Sequence, residues 1–361
     1  MPTNREELLR AANIVKPAIA AQAYVPALTH LRLDDRGITA SNDISSLFVN
    51  VEHDMDCCVP GDLFIKALLG FQTKEVKITP SEKDHAVTMT SGRSKLKLNT
   101  LGHADFPFTW PSYKNTDVVP FNDEMLRGLR LCLISVGTNP NHPAQMGVTL
   151  DQEDGIAVFY STDVFTISRF ETSTKVSLPA DEPVIMPTFF CEQVLALAKA
   201  FPDDELTMHL LDGALLFVVG DEKAMLHTRQ LVDTQPLAFP DVIKRHLGSV
   251  DDLEKKAADI PDGWEDVLQR SLLVLSSALD KVITVTPQDG ELLLESRSDY
   301  GHQDDYLKWK DKLPGSVYLN PQLVLRGSAN CTRLMFGKTL LAMCNKDASL
   351  VHLVAYTAPA K

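Results

Sequence analysis

Two pairs of neighbouring carboxylates are the first side chains in this sequence whose types and spacing suit a reaction. Asp54 with Asp56, and Asp203 with Asp204, are pairs of the kind that hold a metal ion for hydrolysis. Both pairs sit in stretches typical of turns, and nothing in the sequence brings either pair into a shared pocket. There is no glycine-rich phosphate loop, nucleophile elbow or dinucleotide fingerprint. We therefore predict that the chain is not an enzyme.

The six cysteines and ten histidines do not form the spacing of a metal site. Only Cys57 and Cys58 are close in sequence, and neighbouring cysteines rarely bridge each other. Six buried, reduced thiols are the favoured interpretation, and neither a metal nor another cofactor is expected. No long apolar run or signal-like N-terminus is present, so we expect a cytoplasmic protein that does not bind membranes.

Positive charges recur beside the predicted helices, although the chain as a whole is acidic. The formal net charge is -13, from 35 Lys and Arg against 48 Asp and Glu. This is the wrong sign for a protein that grips DNA through many phosphate contacts. For any one basic residue, an ordinary solvated helix face explains the charge equally well. As a group they form a candidate DNA-facing set: Arg5, Arg10, Lys66, Lys74, Arg127, Arg130, Lys199, Arg270 and Arg326.

These helices belong to a pattern that is written three times along the chain. Asp105-Phe106-Pro107 and Ala238-Phe239-Pro240 end two stretches with the same order of helices and strands. A fainter third stretch follows a polar segment, residues 249–262, that is typical of a linker. We predict an α+β fold with three repeated domains. Each domain has two helices packed on antiparallel sheets and about eight strands in all. The predicted domains are residues 1–115, 116–248 and 249–361, with helices close to residues 5–15, 60–69, 122–136, 187–200, 264–279 and 321–328.

The order and spacing of short motifs over nearly the full length resemble the β subunit of bacterial DNA polymerase III, the sliding clamp family. The motifs are Gly92 to Leu101 followed by Ala104-Asp105-Phe106-Pro107, Leu231-Val232-Asp233 with Phe239-Pro240-Asp241, the pairs Asn42-Asp43 and Thr162-Asp163, and the helix starts Val59-Pro60 and Met186-Pro187. The resemblance implies the DNA clamp fold and a head-to-tail homodimer, in which six domains close a ring around double-stranded DNA. The implied function is a non-catalytic processivity factor that tethers the replicative polymerase.

The acidic net charge agrees with this resemblance. A ring that holds DNA by topology needs only weak attraction from its inner helices, and an acidic exterior repels other DNA. Two loop residues, Gln22 and Asn139, match the family's DNA-contacting positions, with Gln22 where arginine is common.

The resemblance also implies which residues form the interface of the dimer. It places Phe106 and Phe108 on one edge of the chain and Leu273 and Val274 on the opposing edge. Burial in the chain's own core is the competing interpretation for these four side chains. A trimer or a monomer is the alternative assembly.

A groove for short linear motifs of the polymerase and the clamp loader is implied between the second and third domains. The matching residues are Thr162, Val164, Phe165, Thr166, Ile167, Pro240, Lys244, Arg245, Ala358, Pro359 and Ala360. Residues 164–167 replace a typical Gly-His-Arg-Leu run, and residues 358–361 replace Met-Pro-Met-Arg. We expect an altered motif preference, which suits a clamp of a bacteriophage or of a distant bacterial lineage. The alternative function is a clamp-like ring that acts as a scaffold or as an inhibitor of a resident clamp.

Overall fold

The chain contains three copies of one element order: a strand, a helix, four strands, a second helix and three strands. The computed structural model describes residues 2–179, 182–230, 237–311, 313 and 315–357. The first copy consists of β1 Pro2–Asn4, α1 Arg5–Val15, β2 His30–Asp34, β3 Gly37–Ser41, β4 Ser45–Asn50, β5 Cys57–Pro60, α2 Gly61–Gly70, β6 Glu75–Ser81, β7 Ala86–Ser91 and β8 Ser94–Asn99.

The second and third copies repeat this order and are joined by two further helices. The second consists of β9 Asp117–Phe121, α3 Asp123–Cys132, β10 Gly147–Glu153, β11 Ile156–Thr162, β12 Thr166–Lys175, β13 Val184–Pro187, α4 Thr188–Ala200, β14 Leu206–Leu211, β15 Ala214–Val219 and β16 Ala224–Arg229. The joining helices are α5 Phe239–Leu247 and α6 Val250–Lys256. The third copy consists of β17 Ala258–Asp259, α7 Trp264–Val274, β18 Ile283–Gln288, β19 Glu291–Ser298, β20 Gly301–Lys308, β21 Val317–Leu319, α8 Pro321–Ser328, β22 Arg333–Phe336, β23 Leu340–Cys344 and β24 Leu350–Ala355.

The predicted α+β class with antiparallel sheets is confirmed, and several sequence-based details were wrong. The third repeat is faint in the sequence, but it is complete in the structure, because β17, β20 and β21, which the sequence pattern did not predict, bring it to eight strands. Residues 249–262 are not a plain linker, since they contain α6 and β17. The helix predicted for residues 122–136 ends at Cys132 in a 3-10 turn, and the helix predicted for residues 264–279 ends at Val274.

Strand pairing joins successive repeats into shared sheets. β4 pairs antiparallel with β16, and β12 pairs antiparallel with β24, so the fourth strand of one repeat pairs with the eighth strand of the next. The resulting eight-stranded sheets have the orders β5-β2-β3-β4-β16-β15-β14-β9 and β13-β10-β11-β12-β24-β23-β22-β17. Two four-stranded sheets, β1-β6-β7-β8 and β20-β19-β18-β21, are left with β8 and β20 at an edge.

By its internal contacts the chain divides into two compact units, whose limits follow the shared sheets. One unit comprises residues 2–122 and 192–230, and the other comprises the described parts of 123–191 and 237–357. The predicted three-domain division follows the repeats instead, and it stays a prediction.

In the first unit, α1 forms where the sequence predicts it because a cap and an apolar face coincide. The Asn4 side chain accepts hydrogen bonds from the backbone N–H groups of Glu6 and Glu7, which satisfies two donors of the first turn. The side chains of Leu8, Ala11, Ala12 and Val15 are buried. The opposite face of the sheet is also covered, since Trp110 and Tyr113 pack on a cluster that includes Phe48 and Leu216.

In the second unit, a buried polar network crosses the pairing between β12 and β24. His352 is fully buried, and its Nδ1 lies 2.9 Å from the Ser168 Oγ. The Ser135 Oγ lies 2.8 Å from the Ser168 Oγ and accepts from the Thr166 hydroxyl. Helix α8 approaches closely because residue 327 is glycine, as a Cβ there would lie 2.2 Å from a ring carbon of His352. The imidazole is therefore held neutral in a close-packed site.

We expect His352 to make this unit less stable in acid. Burial lowers the pKa of His352 from 6.5 to about 4. Between these values the unfolded chain binds a proton that the folded chain excludes, so the stabilisation present above pH 6.5 is lost as the pH falls. In urea denaturation at pH 7 and pH 4.5, His352→Gln should reduce the loss in free energy of unfolding by about 2 kcal/mol. The exposed His302→Gln is the control and should leave the loss unchanged; an equal loss in native chain and His352→Gln would contradict the assignment.

Candidate DNA-facing helices and partner groove

Four of the nine predicted DNA-facing side chains are engaged within the chain's own fold. Arg5 is largely buried, and its Nη1 donates to the carbonyls of Phe71, at 2.7 Å, and Leu68, at 3.3 Å. Arg5 thus caps the C-terminal end of α2, which leaves it little freedom to contact DNA. The exposed Arg10 donates to the Ala200 carbonyl at the end of α4, at 2.6 Å. Arg270 pairs with Asp305 at 2.9 Å, and Arg326 pairs with Asp163 at 3.2 Å.

The other five basic side chains are exposed and better placed to meet a ligand. The Arg127 guanidinium lies 5.5 Å from the centroid of the Phe170 ring, which positions it without neutralising it. Within the described ranges the remaining four form no ion pair: Lys66, Lys74, Arg130 and Lys199. The electrostatic attraction available from the predicted set is therefore smaller than nine charges suggest.

The two predicted loop contacts, Gln22 and Asn139, are both exposed. Gln22 lies in the loop that follows α1, and Asn139 opens a turn in which its backbone carbonyl accepts from the His142 N–H at 3.0 Å. The sequence analysis did not single out Tyr24, whose side chain is fully exposed two residues after Gln22. No periodic pattern marks a loop residue, so only its exposure in the structure identifies it. A free aromatic ring next to a predicted DNA contact is suited to stacking.

The four predicted interface residues differ in how exposed their side chains are. Phe106 is 7% exposed and packs with Ala27 and Cys58, and the half-buried Phe108 joins this cluster. The competing interpretation, burial in the chain's own core, therefore fits Phe106, which lies beyond the end of β8. Leu273 is 75% exposed, whereas Val274 is half-buried. Of the four, Leu273 is the side chain most available to a partner.

The loop that precedes β12 carries the first part of the predicted groove. The Thr162 hydroxyl is buried and donates to the Thr166 carbonyl at 2.7 Å. The Asp163 carboxylate accepts from the backbone N–H groups of Phe165 and Thr166, at 3.1 and 2.7 Å. These hydrogen bonds fix a tight turn, and the side chains of Val164 and Phe165 are left 62% and 58% exposed. Two apolar side chains are thus presented to solvent on a rigid loop.

Val164 adopts a backbone conformation that favours glycine. Its φ angle is +78°, which costs a β-branched residue about 1–2 kcal/mol. Glycine is the typical residue at this position in the family that the sequence resembles. Val164 therefore adds a side chain to the surface where glycine would add none, which is a physical reason to expect altered partner contacts.

The first repeat contains the same loop before β4, shifted by one residue from the sequence-based match. The Asn42 side chain accepts from the N–H groups of Ile44 and Ser45, as Asp163 does from Phe165 and Thr166. Asp43 has φ +76°, which makes it the equivalent of Val164. Ser41 and Asn42, rather than Asn42 and Asp43, therefore correspond to Thr162 and Asp163. Ile44, 64% exposed, becomes the equivalent of Phe165.

Helix α5 carries the second part of the predicted groove. Pro240 occupies its first turn, and Lys244 and Arg245 are exposed near its end. Its buried side chains, Phe239 and Ile243, pack on the sheet in a cluster that also contains Ile167. The structure thus brings α5 against the strand that begins at the Val164 loop. The remaining predicted groove residues, Ala358, Pro359 and Ala360, lie outside the described residues.

The described residues give no support to the catalytic pairs or to a metal site. Asp204 forms an ion pair with Lys223 at 2.7 Å beside a turn. No group of three His, Cys, Asp or Glu side chains lies together as metal ligands in the described ranges. All six cysteines are buried as thiols rather than joined in disulfides, and burial raises the pKa of the Cys57 thiol to about 11. No helix in the described part of the chain is long and apolar enough to cross a membrane.

Comparison with known proteins agrees with the sequence resemblance. Residues 1–110 match the family model described as DNA polymerase III beta subunit, N-terminal domain. A beta sliding clamp of Treponema pallidum (strain Nichols) is 22% identical over 288 residues, which cover 78% of this chain and 71% of that protein.

Solved structures extend the likeness over the full chain. The DNA polymerase III subunit beta from Pseudomonas aeruginosa matches with a TM-score of 0.83 and 15% identity, covering 99% of both chains. The DnaN sliding clamp from Bartonella birtlesii, solved bound to griselimycin, matches with a TM-score of 0.84 and 15% identity over 99% of both chains. At such low sequence identity, the TM-scores show that the fold is shared and no more than that. The resemblance to the DNA polymerase III beta subunit, or sliding clamp, family is confirmed: the N-terminal 110 residues match its model, and the whole chain has the fold of its solved members at low sequence identity.

Proposed function

We propose that this chain is a DNA sliding clamp, a non-catalytic ring that encircles duplex DNA in the cytoplasm and tethers a polymerase. The observation that carries the proposal is the pair of unmatched strands left by the shared sheets. Within the chain, the fourth strand of each repeat pairs with the eighth strand of the next. β20, the fourth strand of the third repeat, and β8, the eighth of the first, have no such partner among the described residues. Pairing β20 of one copy with β8 of another, twice, would close a head-to-tail dimer.

Exposed apolar side chains on both edges support this assembly. Leu96 on β8 is 37% exposed, and Tyr306 on β20 is 55% exposed. Leu273, 75% exposed, belongs to α7, which packs on β19 and β20. An unpaired strand edge with apolar neighbours is prone to aggregation when it is exposed, so it is a surface that another chain is expected to cover. On the first edge, Leu96 therefore replaces Phe106 and Phe108 as the side chain to test, and on the opposing edge the predicted Leu273 is kept.

Leu273→Asp should convert the dimer to a monomer. A carboxylate buried at the interface would lose its hydration without gaining a partner. Light scattering after size-exclusion chromatography should give the mass of one chain in place of two. Leu63→Asp is the control, since Leu63 is 54% exposed on α2, and it should remain dimeric. A Leu273→Asp protein that keeps the mass of two chains would exclude this edge as the interface.

The free basic residues are proposed to attract the DNA inside the ring. Arg127 and Arg130 are exposed on one helix, α3, and neither forms an ion pair within the described residues. Their field favours phosphate groups without base contacts, which suits movement along any sequence. Topology rather than affinity would then hold the protein on DNA.

The DNA role predicts retention on nicked circular DNA that is lost when the circle is linearised. Protein loaded with its cognate loader should stay on the circle at the mass of two chains. Replacing Arg127 and Arg130 together with Glu should lower the retained fraction about tenfold, because two attractions become repulsions. Replacing the exposed Lys338 and Lys346 with Glu makes the same charge change in strand turns and should have little effect. Equal retention on circular and linear DNA would exclude topological clamping.

The loop of Val164 and Phe165 together with α5 is proposed as the groove for linear motifs of the polymerase and the loader. Exposed apolar side chains on this loop, together with the exposed cations Lys244 and Arg245 on α5, suit an extended peptide with apolar anchors and acidic or polar neighbours. The sliding clamp bound to griselimycin is a related fold with a ligand. Val164 in place of the typical glycine supports an altered motif preference.

Phe165→Ser should weaken binding of a fluorescent peptide that carries the linear motif of the cognate polymerase. The expected loss is about tenfold in Kd, the effect of removing one aromatic anchor. Ile44→Ser is a matched control from the equivalent loop of the first repeat and should bind with unchanged Kd. If both variants bind like the native chain, the groove lies elsewhere. Equal loss in both would assign the effect to general surface hydrophobicity.

A second candidate function is a clamp-like ring that acts as a scaffold or as an inhibitor of a resident clamp. The observation that favours it is the altered loop, since Val164 and Phe165 replace the residues typical of polymerase-binding members. Primer extension on a long single-stranded circle separates the two. Longer products with the cognate polymerase support the processivity role, and shorter products with the resident clamp present support inhibition.

A further inference from the structure

One ion pair of the second unit joins a helix of the predicted DNA-facing set to the loop of the proposed groove. Arg326, on α8, donates from its Nη1 to a carboxylate oxygen of Asp163 at 3.2 Å. The Arg326 side chain is 41% exposed, so its guanidinium can be reached from solvent while it is paired. Asp163 is only 15% exposed, and its other carboxylate oxygen accepts from the backbone N–H groups of Phe165 and Thr166. One carboxylate therefore contacts both α8 and the backbone of the groove loop.

Helices α3 and α8 cover the same face of the eight-stranded sheet of this unit. The ring of Phe170, on β12, lies against α3, since a Cβ at Gly128 would be 2.8 Å from it. Ser168 is two residues earlier on the same strand, so its side chain points to the same side. Its neighbour across the strand pairing is His352, on which α8 packs. Arg326 therefore lies on the side of the sheet where α3 carries its free arginines.

Helix α5 lies on the opposite side of this sheet. Phe159, on β11, faces α3. Tyr160 is the next residue and points the other way, where it stacks on Phe239 of α5 with ring centroids 5.0 Å apart. The sheet thus separates the predicted DNA face from α5. The pair of Arg326 and Asp163 lies at the start of β12, where a side chain from the helix side reaches the groove loop.

The equivalent turn of the first repeat shows that this ion pair is not needed to form the turn. There the side chain that accepts from the backbone N–H groups is Asn42, a neutral amide that cannot form an ion pair. Both turns nevertheless contain a residue with positive φ, Asp43 at +76° and Val164 at +78°. Of the two turns, only the one in the proposed groove has a carboxylate paired with an arginine in this position. The pair is therefore available for a role other than shaping the backbone.

We infer, on the basis of the proposed function, that Arg326 is a positioning residue through which DNA in the ring lowers the groove's affinity for motifs with acidic neighbours. A phosphate group near α8 competes with Asp163 for the exposed guanidinium, because carboxylate and phosphate oxygens are both preferred acceptors of arginine. Without its partner, Asp163 adds an uncompensated negative charge beside the bound peptide, which repels acidic residues that flank the apolar anchors. Coupling between two sites is reciprocal, so a bound motif lowers the affinity for DNA by the same factor.

The test compares the Kd of a fluorescent peptide for clamp free in solution and for clamp loaded on nicked circular DNA. The peptide carries the linear motif of the cognate polymerase with an acidic residue on each side of its apolar anchors. For the native chain the Kd should rise about threefold on DNA, the scale of one partly exposed ion pair. Arg326→Gln should have the raised Kd already in free clamp, with no further rise on DNA. Asp163→Asn keeps the acceptor oxygen of the turn, as Asn42 does, so its Kd should equal that of free native clamp on and off DNA.

The matched control is Arg297→Gln, which breaks an exposed arginine–carboxylate pair with Glu295, 2.8 Å long, on β19 of the same unit. It should respond to DNA like the native chain. Retention on the circles is measured in every sample, so a failure of loading, which contradicts the clamp proposal, is distinct from a failure of coupling. Retained native clamp with the same Kd on and off DNA would overturn the coupling. A rise on DNA that persists in Asp163→Asn would assign the effect to direct repulsion between DNA and peptide, and would overturn the role of the pair.

Discussion

Pairing of the fourth strand of one repeat with the eighth strand of the next is the constraint on which the rest of this structure depends. Half of a repeat offers only four strands, and its edge would leave backbone groups without partners. The β4–β16 and β12–β24 pairs cover four of these edges and produce two eight-stranded sheets. The compact units of the chain consequently cut across the repeats. The same rule leaves β8 and β20 without such a partner among the described residues, and the proposed assembly of identical chains depends on these two strands.

The sequence predicted the elements whose residues are arranged around their own core face. Helix α1 begins and ends where its apolar spacing places it, since the Asn4 cap and the buried stripe coincide. The missed elements lack such a pattern. β20 is a polar strand with one deeply buried residue, Leu307, and α6 is rich in charge although Ser249 caps it. Phe239-Pro240 was interpreted as the end of a repeat, whereas proline in the first turn begins α5.

The candidate site was less accessible to sequence reasoning because its properties depend on distant partners. Arg5 is one of several helix-borne cations in the sequence, and only the fold reveals that it caps a second helix 63 to 66 residues away. The loop before β12 shows the same limit. Matching residue types aligned Asn42-Asp43 with Thr162-Asp163, but hydrogen bonds align Asn42 with Asp163. A side chain's role in a turn is fixed by which N–H it accepts from, and this is a property of geometry rather than of residue type.

The distribution of charge bears on how such a protein would hold DNA. Each phosphate contact adds to affinity through counterion release, so a protein with many cations binds tightly and slides poorly in low salt. Here several of the helix-borne cations are engaged with carbonyls or carboxylates of the chain itself, and the net charge is -13. The electrostatic attraction of such a surface would hold linear DNA only weakly. On the proposed function, retention would require that the strand edges close a ring. The β8 and β20 edges, rather than any single basic residue, would then determine whether the protein stays on DNA.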